Sequence, residues 1–190
     1  NLCSASTVDQ MPKHVSSGLL FGDPGAMPVP DLDRTDFLLM LGANPWESNG
    51  SLCTAPDFPG RVKAIQARGG RVVVVDPRRT RTAEEADEHV AIRPGGDAHL
   101  LLAMVHVVLE EGLGDAGVAG THTDDLEDLP AAVAPFTPEA VAAVTGLEAD
   151  DICRLAREFA GAPTAVAYGR IGTHTVSFGT LAAWAVDALN

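Results

Sequence analysis

Four consecutive valines, residues 72–75, restrict the fold of this chain more than any other feature. They lie in the segment RVVVVDP, which follows a Gly-Gly pair and ends in an Asp-Pro turn. β-Branched side chains favour strands, and an uninterrupted apolar run fits a strand that is covered on both faces, as parallel strands are. The run therefore predicts a buried strand of a parallel sheet over residues 71–77.

Similar apolar segments alternate with helical patterns along the chain. Further strands are predicted over residues 35–42, 90–93 and 164–169. Helices are predicted over residues 59–68, 80–89, 98–113 (with Asp97 as the N-cap), 138–145, 148–160 and 180–189. Loops are predicted over residues 42–50, 114–129 and 169–179. This alternation is typical of an α/β fold, so we predict one Rossmann-like three-layer domain with a mainly parallel sheet, spanning residues 1–190.

The charge distribution restricts the partners of the chain. The net charge is −13, and residues 94–153 contribute twelve acidic residues with no Lys or Arg. A broad nucleic-acid surface needs clustered basic residues, so nucleic acid is excluded as a partner. No apolar run approaches the roughly 20 residues of a membrane span, so no direct membrane insertion is expected. Residues 61–81 are locally basic, which fits either a solvated helix face or a site for a small anion.

The three cysteines, Cys3, Cys53 and Cys153, are too few and too widely spaced for a disulfide framework, and no His/Cys cluster has zinc spacing. Scattered thiols favour a reducing compartment, so we expect a cytoplasmic protein. The chain begins with Asn1 rather than Met, so we expect a preceding segment, in which a leader could lie.

Four loops follow the predicted strands: GANPWES, DPRRT, RPGGD and GRIGTHT. If the strands are parallel, these loops meet at the carboxyl edge of the sheet, where ligands of such folds bind. Gly42 and the Asn44-Pro45 turn would let backbone N–H groups approach an anion closely. Asp76 could accept hydrogen bonds from a guanine edge or a ribose, and Arg78 could pair with phosphate.

The third of these loops, Gly95-Gly96-Asp97, precedes a helix N-terminus, which favours anions. Structural alternatives stay open, since Asp97 could cap the helix and Asp76 could simply end a strand. No GxGxxG precedes Asp76, where a nicotinamide-binding fold would need it, since GLGDAG at residues 112–117 comes at the end of a predicted helix, and the chain has no GxxxxGK[ST] or GxSxG motif. A nicotinamide-binding fold, a P-loop and a hydrolase elbow are therefore excluded.

Residues 70–113, GRVVVVDPRRTRTAEEADEHVAIRPGGDAHLLLAMVHVVLEEGL, resemble the signature stretch of the molybdopterin oxidoreductases. This is the dimethyl sulfoxide reductase group, with the formate dehydrogenases and periplasmic nitrate reductases. The segments NLCSASTVDQMPKHVSSGLLFG, LLMLGANPWESNG and AVAYGRIGTHTVSFGTLAAW resemble the same group, in the same order. The resemblance implies the central domain of a larger oxidoreductase, which holds one of two molybdopterin guanine dinucleotides that chelate molybdenum or tungsten.

The resemblance also implies positions along the cofactor for residues of this chain. The nucleotide would contact Gly42, Asn44, Pro45, Glu47 and Ser48. Its guanosine end would contact Asp76, Arg78 and Thr80, with Gly95, Gly96 and Asp97 completing that pocket. A loop that reaches pterin or phosphate in relatives is matched by Arg170, Thr173 and His174, although His174 alone would otherwise be a surface histidine.

Cys3 falls on the position at which formate dehydrogenases and periplasmic nitrate reductases carry a Cys or selenocysteine ligand to the metal. A soft thiolate suits such a metal, so the resemblance implies Cys3 as metal ligand and catalytic residue, the alternative being an unrelated cysteine. Formate dehydrogenases have His directly after this ligand, whereas this chain has Ser4, which weighs against formate oxidation. Cys53 and Cys153 match no motif and are predicted to be buried thiols.

By the same resemblance, the parent would carry a 4Fe-4S cluster in a preceding cysteine-rich segment and a further cofactor-binding domain after this one. The implied partners are the other domains of the parent chain and electron-transfer subunits. The parent would perform two-electron redox chemistry at the metal, and this domain alone would be inactive. The alternative is a non-catalytic nucleotide-binding or subunit-interaction module that retains the fold only, with the acidic segment 94–153 facing a partner.

Overall fold

A computed structural model describes residues 4, 6–53, 55–117 and 119–190. In these residues four strands form one sheet: Phe37–Leu41 (β1), Arg71–Val75 (β2), Glu88–Val90 (β3) and Ala165–Gly169 (β4). Their order is β3-β2-β1-β4, and every neighbouring pair is parallel. The prediction of a mainly parallel α/β sheet is therefore confirmed.

Helices cover both faces of this sheet. Helices α1 to α11 are, in chain order, Ser6–Asp9, Met11–Phe21, Pro45–Ser48, Phe58–Ala67, Arg81–Glu85, Asp97–Glu110, Leu129–Val133, Pro138–Thr145, Ala149–Gly161, Ile171–His174 and Gly179–Leu189. Two 3-10 turns, Ala119–Thr121 and Leu126–Asp128, lie between α6 and α7. None of the described helices is long and apolar enough to cross a membrane.

The valine run of β2 is buried because each face of the sheet has its own core. Val72 and Val74 belong to the smaller core, which contains the apolar side chains of α4. Val73 and Val75 belong to the larger core, which contains those of α6, α9 and α11. Alternate side chains of a strand point to opposite faces, so an all-apolar sequence is stable only between two covered faces. The strand predicted from the valines is therefore present, and its neighbour β1 is buried in the same way.

Helix α8 begins and ends as its sequence predicts. Thr137 is the N-cap and its side chain accepts a hydrogen bond from the Ala140 N–H, while Pro138 occupies the first turn. Gly146 ends the helix in the left-handed conformation, with φ of 73°. Local capping chemistry is sufficient to define this element.

The helix predicted over residues 80–89 is wrong in its second half. Helix α5 ends at Glu85, and β3 begins at Glu88 rather than at residue 90. The backbone N–H of Asp87 donates to the Val72 carbonyl, and the Asp87 carboxylate accepts from the Val72 N–H at 2.7 Å. These bonds draw the chain alongside β2, and pairing with the sheet replaces the helical hydrogen bonds.

Three segments predicted as loops contain short helices. They are α3 after β1, α10 after β4, and, in residues 114–129, the two 3-10 turns, with α7 beginning at the last residue of that predicted loop. Pro45 and Pro130 lie in the first turns of α3 and α7, where the missing N–H costs nothing. Each helix is short, so the periodicity of the sequence could not indicate it.

Strand β4 is an edge of the described sheet, and Asn190 covers part of that edge. The Asn190 Oδ1 accepts from the Ala167 N–H at 2.8 Å, and its Nδ2 donates to the Ala167 carbonyl at 3.0 Å. The carboxamide thus pairs with β4 as the peptide group of a neighbouring strand would. Helix α2 packs beside α11, and Lys13 of α2 forms a largely buried ion pair with Asp187 of α11.

Candidate functional site

A cavity of about 270 Å³ lies at the carboxyl ends of β1, β2 and β4. The loops after these three strands converge on it, as expected for a parallel sheet. It is lined by Gly42, Ala43, Asn44, Pro45, Glu47, Ser48, Gly50, Ser51, Asp76, Arg78, Thr80, Tyr168, Arg170, Ile171 and Gly172. Nine of the residues assigned from the sequence therefore lie together. A larger groove of about 590 Å³ runs along the outer edge of β4 and shares Tyr168 and Arg170 with this cavity.

Two glycines bring the backbones of the loops after β1 and β4 into direct contact. Gly42 has φ of 56°, and a Cβ atom there would lie 2.6 Å from the Gly172 Cα. The Gly172 N–H donates to the Gly42 carbonyl at 3.0 Å. Any side chain at either position would separate the loops, so glycine is required on both sides. The result is a wall of the cavity made of backbone.

Asn44 fixes the loop after β1 to helix α5. The buried hydroxyl of Thr82 donates to the Asn44 Oδ1 at 2.5 Å and accepts from the Trp46 N–H at 3.3 Å. Since Oδ1 is the acceptor end of the Asn44 side chain, its amide nitrogen is the donor end. The side chain thus offers a hydrogen-bond donor at the cavity.

The segment from Asp76 to Thr80 forms a tight turn at the end of β2. The Asp76 Oδ1 accepts from the Arg78 N–H at 2.8 Å, and the Thr80 N–H donates to the Arg78 carbonyl at 2.8 Å. Thr80 then caps α5 by accepting from the Ala83 N–H at 3.2 Å. This turn places a carboxylate, a guanidinium and a hydroxyl on one side of the cavity.

Arg170 is a buried cation with unused hydrogen-bonding capacity. Its side chain is 9% exposed, and its Nη2 donates to the Ser51 Oγ at 2.9 Å. The Asp9 carboxylate lies 3.7 Å from Nη2, too far for a hydrogen bond. The Nη1 atom is buried with no partner among the described residues. Asp9 is within ion-pairing distance of this guanidinium, but a buried N–H of a cation without an acceptor is costly, so a further hydrogen-bond acceptor at Nη1 would be favourable.

Asp97 lies outside the cavity lining, as do Gly95 and Gly96. The predicted N-cap is wrong: Gly96 occupies the cap position, and Asp97 is the first buried residue of α6. A Cβ atom on Gly96 would lie 3.0 Å from the Thr145 Cα, so packing against α8 favours glycine there. Burial raises the pKa of Asp97 to about 6, its own backbone N–H opposes this, and the negative charge of Asp76 adds to it. Asp97 therefore lies close enough to Asp76 for the two carboxylates to repel each other.

The side chains of Thr173 and His174 point into the protein. The Thr173 hydroxyl donates to the Arg170 carbonyl at 2.8 Å, and the His174 Nδ1 lies 2.9 Å from the Asp9 carbonyl. His174 is 5% exposed, so the reading of a surface histidine is wrong. Burial lowers its pKa, which favours a neutral ring that donates from Nδ1. Both residues hold the loop after β4 in place, which leaves Arg170 to face the cavity.

The cysteines give no metal site in the part of the chain that can be described. Cys3 lies outside the described residues. Cys53 is buried as predicted, whereas Cys153 is only half-buried, and burial raises the pKa of both thiols. Among the described residues, no three His, Cys, Asp or Glu side chains form a group that could hold a metal ion.

Several lining residues were absent from the sequence-based set. Tyr168 of β4 is joined to the loop after β1, since its hydroxyl donates to the Ser51 carbonyl at 3.2 Å. Burial raises the pKa of Tyr168, which keeps it a hydrogen-bond donor. Gly172 could have been found from the second glycine of GRIG, but no local signal marks Ser51 or Tyr168.

The comparisons with known proteins agree with this geometry. The family model described as Molybdopterin oxidoreductase matches residues 1–189. Formate dehydrogenase H of Escherichia coli is 34% identical over 137 residues, which are 72% of this chain and 18% of that protein. The thiosulfate reductase molybdopterin-containing subunit PhsA of Salmonella typhimurium is 37% identical over 155 residues, 81% of this chain and 19% of that protein. The chain therefore spans about a fifth of the length of these relatives.

A solved structure, acetylene hydratase from Pelobacter acetylenicus, superposes with a TM-score of 0.79 and 27% sequence identity. The match covers 94% of this chain and 23% of that one. The sheet with its two helical layers is thus similar to a portion of a much larger protein.

Proposed function

Because this chain belongs to the molybdopterin oxidoreductase family, we propose that its cavity binds the nucleotide end of a molybdopterin guanine dinucleotide. The family implies a pterin cofactor with molybdenum or tungsten. The observation that supports the dinucleotide form is the buried Nη1 of Arg170, which has no partner among the described residues and belongs to a residue that lines the cavity. A diphosphate would supply the missing acceptor.

The other lining groups fit the same ligand. The backbone wall at Gly42 and Gly172 carries no side chain, so it would let a phosphate approach the main chain closely, while both glycine N–H groups stay bonded to backbone carbonyls. The Asp76 carboxylate can accept hydrogen bonds from the N1–H and N2–H₂ groups of guanine, and Arg78 adds positive charge. Asn44 adds a neutral donor. Adenine presents an acceptor at N1, so the same carboxylate would repel it.

For the pterin end, we propose Cys3 as the thiolate ligand of the metal. When bound, the metal centre would exchange two electrons with substrate. The chain's own residues would bind and orient the nucleotide, and the inward-pointing Thr173 and His174 would hold the loop that carries Arg170. The guanosine end would extend toward Asp97 and the glycines before it.

The parent of this domain is proposed to be a molybdenum- or tungsten-dependent oxidoreductase, as the names of the relatives suggest. Those relatives are about five times as long as the match, which leaves room for a 4Fe-4S segment and a second cofactor-binding domain. One relative is named as a molybdopterin-containing subunit, which supports electron-transfer subunits as partners. The domain alone would not turn over substrate.

Nucleotide binding tests the proposed ligand. Isothermal titration calorimetry of the 190-residue chain should give tighter binding of GDP than of ADP, by about tenfold, since a carboxylate that accepts two hydrogen bonds distinguishes the bases. Asp76→Asn should remove most of this preference. The control Asp124→Asn changes an exposed carboxylate remote from the cavity and should retain it. Equal affinities for GDP and ADP in the unmodified chain would contradict the proposal.

A separate experiment addresses the alternative of a module that retains the fold only. Cys3→Ser in the full-length parent should lower both metal content and turnover if the thiolate is a ligand. Cys153→Ser, which changes a half-buried thiol of α9, is the matched control. Unchanged metal content and activity in the Cys3 variant would favour the fold-only reading for the N-terminal motif.

A further inference from the structure

His89 contacts the turn that carries Asp76. It lies in β3 opposite Val74 of β2 and is half-buried. Its Nε2 is 2.8 Å from the backbone carbonyl oxygen of Asp76. A carbonyl oxygen only accepts hydrogen bonds, so Nε2 must carry the hydrogen and donate it. The bond connects the edge strand β3 to the first residue of the loop after β2.

This bond completes the restraint of the backbone around Asp76. The Asp76 N–H donates to the Val90 carbonyl at 3.2 Å, and the Asp76 carbonyl accepts from His89 at 2.8 Å. The first bond fixes the peptide plane before the Asp76 Cα, and the second fixes the plane after it. With both planes held, φ and ψ are defined, and so is the direction of the Cα–Cβ bond from which the side chain extends.

The Asp76 carboxylate itself has one oxygen committed to the turn. Oδ1 accepts from the Arg78 N–H at 2.8 Å, whereas Oδ2 has no hydrogen bond within the described residues. A rotation of the Asp76-Pro77 peptide would turn the carboxylate away from the cavity or break this turn. The orientation of Oδ2 therefore depends on the donor at His89.

We propose that His89 is a positioning residue for base recognition, whose Nε2–H bond to the Asp76 carbonyl holds the Asp76 carboxylate in the orientation that accepts the N1–H and N2–H₂ groups of guanine. This role rests on the proposed function, because it takes Asp76 as the guanine acceptor. His89 does not line the cavity, so it would affect ligand binding only through Asp76. Its removal lowers the affinity for guanine nucleotides and leaves the weaker binding of adenine nucleotides unchanged.

Two variants at position 89 separate this role from general stability. His89→Leu removes the donor, and His89→Gln places an amide nitrogen near the position of Nε2. In calorimetric titrations, His89→Leu should raise the Kd for GDP about fivefold, the value of one hydrogen bond, with the Kd for ADP within twofold of the unmodified chain. His89→Gln should restore most of the preference. His122→Leu, at an exposed histidine, should change neither value.

A measurement on the unmodified chain keeps the proposal testable if the leucine variant does not fold. Long-range ¹H–¹⁵N spectra at about pH 8 should show His89 as the Nε2–H tautomer, and an Nδ1–H tautomer would overturn the role. Equal binding of GDP and ADP by the unmodified chain would overturn the proposed function and this role together. A preference for GDP that survives in His89→Leu would overturn the positioning role alone.

Discussion

Arg170 and Ser51 join two loops across the cavity, with the Arg170 Nη2 donating to the Ser51 Oγ at 2.9 Å while Nη1 has no partner among the described residues. Arg170→Gln should therefore weaken GDP binding at least tenfold, since hydrogen bonds to a charged group contribute about 1.5–3 kcal/mol. Arg34→Gln removes the same charge from an exposed side chain and should leave GDP binding unchanged. An equal Kd for GDP in both variants, measured by calorimetry, would assign Arg170 to structure alone.

The contact between Gly42 and Gly172 predicts a large loss of stability on substitution. Gly42→Ala combines a left-handed residue with a Cβ atom 2.6 Å from the Gly172 Cα, and should lower the free energy of unfolding by about 3 kcal/mol. Gly69→Ala, at φ of 87° with no atom near the new Cβ, isolates the conformational part and should cost about 1 kcal/mol. Urea denaturation measures both, and similar losses would show that the loops can separate freely.

The ion pair between Lys13 and Asp187 should contribute far more to the free energy of unfolding than an ion pair on the surface does. The two side chains are 13% and 5% exposed, so Lys13→Met leaves a buried carboxylate and should cost about 3 kcal/mol. Lys63→Met, in a pair with side chains 59% and 43% exposed, should cost less than about 0.5 kcal/mol. Adding Asp187→Leu to Lys13→Met should recover most of the loss, and no recovery would contradict the explanation by an unpaired charge.

Asp97 predicts a pH dependence of stability. Burial raises its pKa to about 6 in the folded chain, so the folded state binds more protons than the unfolded state between about pH 4 and 7. The free energy of unfolding should therefore fall as pH rises through this range, by up to about 3 kcal/mol from this group. Asp97→Asn removes the titration, so the variant should gain stability relative to the unmodified chain from pH 5 to pH 8. Urea denaturation at both pH values measures this. The same difference in free energy of unfolding between variant and unmodified chain at pH 5 and pH 8 would show that Asp97 does not titrate in this range.

The elements that are determined by residues close together in the sequence could be predicted from it. The valine run defined β2, and the Thr-Pro start and glycine end defined α8. The end of α5 could not be predicted, because it depends on the pairing of Asp87 with Val72 across the sheet. Local helix signals were present, and the tertiary contact overrode them.

In the candidate site, too, the sequence predicted some features, whereas others depend on contacts between distant parts of the chain. The parallel sheet predicted that the loops after its strands would converge, and nine assigned residues line one cavity. The directions of individual side chains were not predictable. His174 points inward because its Nδ1 contacts the carbonyl of Asp9, 165 residues earlier in the chain. No pattern within the GRIGTHT loop contains that information.

The pairing of β1 with β4 has a consequence for synthesis of the chain. Asp36 and Thr164, which bond at the start of this pair, are separated by 128 residues. Closing so long a loop has a high entropic cost, which slows the pairing. In addition, β4 must leave the ribosome before it can pair with β1. Until then one side of β1 is an open apolar edge, available for intermolecular pairing. A nascent chain halted before Ala165 should therefore aggregate or engage chaperones rather than accumulate as a folded intermediate.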